Sequence, residues 1–171
     1  MGCLSEDERQ HCAAETLDAY DVVLSKLRRD GAIIETFRNP SSYGKLADIN
    51  GAITAVEAYC NHGHLYEDEK REMDSDVRAR MLSGKQHLAH EYFSMLQQRL
   101  LDIESFNYSM MGLDVLITPT TIGRAPSIDE VDQSIAPSYY TRPFNYLGMC
   151  AISIPIGLDD VGLPKSIQVV G

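Results

Sequence analysis

The 171-residue sequence predicts an α/β fold in which one sheet carries packed helices. Three observations lead there. Apolar residues recur at helical spacing through most of residues 1–111. Four short apolar runs, Ile33–Phe37, Asp114–Thr118, Ala151–Ile156 and Ile167–Val170, have the length of strands and interrupt or follow the helical stretches. Six of the seven prolines fall in residues 112–171, so the chain turns from helix-rich to strand- and Pro-rich at Gly112. A single domain is expected, 1–111 mostly helical and 112–171 rich in strands, and such a chain buries roughly 70% of its unfolded surface.

The first helix is marked by Ser5 and Glu8, which stand at capping-box spacing. Ala13, Leu17, Tyr20, Leu24 and Leu27 follow on one helical stripe, and Gly31 supplies the stop after Arg28 and Arg29. Ile33 to Phe37 then reads as a strand ended by Asn39-Pro40. A second helix is expected from Tyr43 to Cys60, with Leu46, Ile49, Ile53, Val56 and Cys60 on one face. The charge-dense Glu67–Glu72 reads as an exposed turn or helix end. A short helix at Val77–Leu82 ends near Gly84, and a long one runs from Leu88 to Met110. Asp114–Thr118 and Ala151–Ile156 read as buried strands stopped near proline. Asp159-Asp160-Val161-Gly162 turns the chain into a hairpin with Ile167–Val170.

Composition excludes several function classes. Lys plus Arg is 15 against 25 for Asp plus Glu, a net charge of −10, which repels phosphate backbones and argues against direct nucleic-acid binding. No apolar run reaches the roughly 18 residues of a membrane span, and no signal peptide is visible. Cys3, Cys12, Cys60 and Cys150 lack paired spacing and read as free thiols, so a cytoplasmic location is expected.

Local motifs carry little chemistry. In an extended loop, Cys60, His62 and His64 would point one way, as metal capture needs, but a polar loop is the plainer reading and no metal site is assigned. His87 and His90 share a helical face and read as surface residues. Ser42 and Lys45 match Ser-x-x-Lys, yet a serine after Asn39-Pro40 and before a periodic stretch reads as an N-cap. There is no Gly-x-Ser-x-Gly elbow and no phosphate-cradling glycine loop, and no cofactor is expected.

The final third is more specific. It runs Asp114-Val115-Leu116-Ile117-Thr118-Pro119-Thr120, then Tyr140-Thr141-Arg142-Pro143-Phe144-Asn145-Tyr146-Leu147-Gly148. Ala151-Ile152-Ser153-Ile154-Pro155-Ile156-Gly157, Gly162-Leu163-Pro164 and Gln168-Val169-Val170-Gly171 complete the succession. This resembles the amidase signature family of serine amide hydrolases. Upstream, Val77-Arg78-Ala79-Arg80 with Gly84 and Glu91-Tyr92 is similar to that family's arginine-glycine segment and the helix after it.

The resemblance implies a partial amidase-signature fold with a mixed sheet, truncated at both ends, and a small-molecule amide as substrate. Thr118, Tyr140, Thr141, Arg142 and Asn145 are expected to line the substrate cleft. Arg142 has a planar fork that suits a carboxylate or carbonyl, and Thr118 stands at a strand end. Family catalysis uses a serine nucleophile, a second serine and a lysine base. No residue here matches them, because Ser41-Ser42 lacks flanking glycines, so no catalytic residue is assigned and the chain alone is expected to be inactive. Cys150 and Lys165-Ser166 depart from the family pattern around the last hairpin. The alternative is a non-catalytic binding or assembly module, with self-association possible through exposed strand edges.

Overall fold

A computed structural model describes residues 1–129, 131–132 and 137–171. Its elements are β1 (Gly2–Cys3), α1 (Glu6–Arg9), α2 (Ala14–Arg29), β2 (Glu35–Thr36), α3 (Tyr43–Glu67), α4 (Ser75–Leu82), a 3-10 turn (Ser83–Gln86), α5 (Ala89–Met110), β3 (Leu116–Pro119), α6 (Arg142–Leu147), β4 (Ala151–Leu158) and β5 (Pro164–Val170). The five strands form one mixed sheet in the order β2-β1-β3-β5-β4. β1 pairs parallel with β2 and β3, while β5 runs antiparallel between β3 and β4. All four strand-like runs of the sequence therefore share one sheet, joined by β1, which two residues at the start of the chain do not announce.

The stripe from Ala13 to Leu27 lies whole on α2, with Ala13 as its N-cap, but the Ser5–Glu8 start expected for that helix falls on a separate one, α1. Ala13 gives its N–H to the Ile122 carbonyl at 2.7 Å, drawing the chain toward the loop after β3 and separating α1 from α2. Ser5 makes no side-chain cap bond. Glu8, its expected partner in a capping box, turns inward instead and is 5% exposed. Its carboxylate accepts the Tyr43 N–H at 3.0 Å and the Tyr139 hydroxyl at 2.9 Å, and its carbonyl accepts the Tyr140 hydroxyl at 2.8 Å. A carboxylate at the first turn of α3 complements the positive end of that helix. In the same place Ser42 caps α3, its Oγ accepting the Lys45 N–H at 3.4 Å.

Tyr20 of α2 spans from helix to sheet, donating to the Ile117 carbonyl at 2.8 Å and accepting the Leu4 N–H at 3.0 Å. Around it, Tyr43, Leu46, Phe106, Leu116, Phe144 and Val170 form the core. β3 is buried on both faces, as its apolar sequence predicts. β4 is not. It lies at the sheet edge with β5 as its partner, and Ile152 and Ile154 are exposed. Strand character and burial separate here because burial depends on what packs over a strand, not on its own residues.

α3 runs seven residues beyond Cys60, so Cys60, Asn61, His62, Gly63 and His64 are helical rather than looped. On a helix Cys60 and His64 share a face while His62 points away, and among the described residues no group of three His, Cys, Asp or Glu could hold a metal. No described helix is long and apolar enough to cross a membrane.

Candidate active site

An open cavity of about 830 Å³ lies between α3, the α4–3-10 segment and the start of α6. Asn50, Gly51, Thr54 and Ala55 of α3 form one wall. Arg80 and Met81 of α4, Ser83 and His87 form the second, and Ser138, Thr141, Arg142 and Asn145 the third. Two arginines therefore line one space whose described lining includes no carboxylate. The Arg80 Nε is buried and has no hydrogen-bond partner among the described residues. Gly51 stands across from Arg142, and a Cβ built on it would lie 3.6 Å from Nη1.

Each wall is held from behind. Glu8 ties the first turn of α3 to Tyr139, next to Ser138. Burial and the Glu8 carboxylate push the Tyr139 phenol well above its ordinary value, so it stays a neutral donor. At the far end of α6, Arg99 of α5 donates to the Tyr146 carbonyl at 2.5 Å, and the Tyr146 hydroxyl donates to Asp102 at 2.8 Å. Gly148, with φ of 70°, closes α6 in the left-handed conformation that favours glycine. The short helix is thus clamped at both ends, which fixes where Arg142 and Asn145 sit.

The expected cleft residues fall into two groups. Thr141, Arg142 and Asn145 line the cavity. Thr118 and Tyr140 are fully buried behind it and are joined by Gln168. The Gln168 Nε2 donates to the Thr118 Oγ1 at 3.2 Å and to the Tyr140 carbonyl at 2.9 Å. Burial raises the Tyr140 phenol well above its ordinary value. The cavity also takes in Arg80, His87 and Asn50, none of which the sequence marks as a cleft residue. His87 stands before α5 rather than on it, which turns it toward the cavity, while His90 is exposed. Of the neighbouring arginines, Arg78 spends its guanidinium on the carbonyls of Tyr66, Asp68 and Arg71. The cue that separates the pair is spacing: Arg80 lies one helical turn before Gly84.

The family model for amidases matches residues 1–171. The chain belongs to the amidase family. Among curated relatives, the A subunit of the mitochondrial glutamyl-tRNA(Gln) amidotransferase of Anopheles gambiae is 27% identical, over 94% of this chain and 39% of its own length. The corresponding protein of Macaca fascicularis is 34% identical, over 75% of this chain and 25% of its own. The chain thus spans about two fifths or less of these relatives. Among solved structures, an amidase superposes with a TM-score of 0.85 at 21% identity, covering 99% of this chain and 41% of that one. The allophanate hydrolase of Kluyveromyces lactis gives 0.82 at 20%, covering 99% and 28%. These likenesses give the amidase fold to the whole described sheet-and-helix assembly.

Proposed function

We propose that this chain forms the C-terminal substrate-cleft wall and part of the sheet of an amidase-signature serine hydrolase that cleaves a carboxamide C–N bond. The observation that carries the reading is the pairing of Arg80 and Arg142 on one cavity, both in the segments that resemble the family. A guanidinium donates to planar oxygen-bearing groups, so the cavity suits the carbonyl or a carboxylate of an amide substrate. Thr141 and Asn145 add neutral polar groups to the same wall.

The serine nucleophile, the bridging serine and the lysine base come from outside these 171 residues. Serine attack requires its proton to leave, and the Ser42 Oγ is engaged as the cap of α3. A second reading, a non-catalytic module, draws on β4, whose unpaired edge and exposed isoleucines suit association with another chain.

The purified chain is assayed against simple amides beside Ser42→Ala, and again mixed with an upstream segment carrying the double-serine and lysine elements. Activity that appears only on mixing and falls with Arg142→Gln supports the hydrolase reading. Turnover by the chain alone that Ser42→Ala abolishes would place the chemistry within it. Stable association without turnover would favour the module.

A further inference from the structure

Gly51 lies well inside α3, where glycine weakens a helix relative to alanine. Nothing in the backbone requires it. Its φ is not positive, and no main chain of another described element comes within 4 Å of a Cβ built on it. Gly84 and Gly63 differ, because a Cβ at either would press on Ala55 or on the Tyr59 ring. At Gly51, among the described residues, the one atom of another element within 4 Å of a built Cβ is the Arg142 Nη1, at 3.6 Å. What the glycine provides is therefore open space beside a guanidinium on the wall of the cavity.

We propose that Gly51 is a specificity-determining residue: its missing side chain leaves a notch beside Arg142 that admits the planar, oxygen-bearing end of the substrate. A carboxamide or carboxylate docking on Nη1 from the α3 side has to occupy the volume that an alanine methyl would fill. The inference rests on the cavity being the substrate cleft, and it deepens that reading by naming the residue that sets which groups reach Arg142. Arg80 lines the same cavity and adds a second positive charge to it.

The test titrates the full chain with acetate, benzoate, acetamide and benzamide, followed by chemical-shift changes. Four variants run alongside: Gly51→Ala, Gly51→Leu, Arg142→Gln and Gly44→Ala, the last on the same helix but against Tyr139. Gly51→Ala is expected to raise the thermal midpoint while weakening probe binding roughly tenfold or more, the scale of a lost charge-assisted hydrogen bond. Gly51→Leu should abolish binding, and Gly44→Ala should leave it unchanged. An effect confined to benzoate and acetate assigns the notch to a carboxylate, and one confined to the amides assigns it to a carboxamide.

If Gly51→Ala binds like the parent while Arg142→Gln does not, the notch is wrong and the cleft reading stands. A lower thermal midpoint in Gly51→Ala would make the glycine structural and overturn the proposal. If the parent binds none of the probes, or Arg142→Gln binds them equally well, the cleft reading fails and takes the notch with it.

Discussion

Gly84 packs directly on the main chain of Ala55, so closely that a Cβ at position 84 would stand 2.1 Å from the Ala55 carbonyl oxygen. No side-chain rotation relieves such a contact, since both partners are backbone. The 3-10 turn can therefore cross α3 at this point only with glycine. Ala55 and Ser83 both line the cavity, so the same contact sets the distance between two of its walls.

Gly84→Ala is expected to destabilise the fold by about 3 kcal/mol, the upper range for overpacking a tight contact. Urea unfolding of the variant against the parent measures it. An unchanged midpoint would mean that the 3-10 turn moves freely off α3.

Glu8 should discriminate sharply between two substitutions. Glu8→Ala leaves the buried Tyr43 N–H and the half-buried Tyr139 hydroxyl without their acceptor, and the loss at Tyr43 alone costs about 1–3 kcal/mol. Glu8→Gln keeps an oxygen for the Tyr43 N–H and a polar nitrogen for Tyr139, so most of that stability should return. Denaturation midpoints of the pair read the difference directly.

Arg124 ties the loop after β3 to α2 and to the hairpin, bonding Glu15 at 2.9 and 3.0 Å and Asp160 at 3.0 Å. The hydrogen bond from Arg124 holds the Glu15 carboxyl below its ordinary value. A carboxyl depressed in the folded state contributes stability above its unfolded value, and that contribution disappears as pH falls through the folded one. Arg124→Gln should return the Glu15 titration upward toward the ordinary carboxylate range. NMR titration of the side chain, with and without salt, checks both the direction and the expected screening.

The four thiols should react in two classes. Cys60 and Cys150 are exposed, while burial pushes Cys12 up to about 11 and raises Cys3 as well. At pH 8 about one Cys12 thiol in a thousand is thiolate, the reactive form. Iodoacetamide followed by mass spectrometry should mark Cys60 and Cys150 first, with Cys3 and Cys12 reached only on unfolding.

The fold is legible where local chemistry decides it. α5 lies where the helical spacing from Leu88 to Met110 puts it, and Ser42 caps α3 as a serine in that setting should. The Asp159–Gly162 turn closes the β4–β5 hairpin, with the Asp159 carboxylate accepting the Val161 and Leu163 N–H groups. Three features are hidden. β1 is two residues long and exists because β2 and β3 flank it. α3 continues past Cys60 through a His-rich stretch whose polar sequence reads as loop. Glu8 is placed at capping-box spacing yet serves a helix residue 35 positions later.

For the cavity, the sequence by itself determined that Thr141, Arg142 and Asn145 travel together, because a short stretch ending at Gly148 fixes their relative positions. It determined four of the five strands too, since an apolar run between turn residues carries its own period. Only the tertiary structure decided that Arg80 and His87 join Arg142 on one space, and that Thr118 and Tyr140 stand behind it, joined by Gln168. Those pairings join residues far apart in the chain, or turn on which side of one helix faces another. Neither periodicity nor composition encodes that; the Gly84 contact on Ala55 and the Glu8 bonds to Tyr43 and Tyr139 do, because they fix how the walls meet.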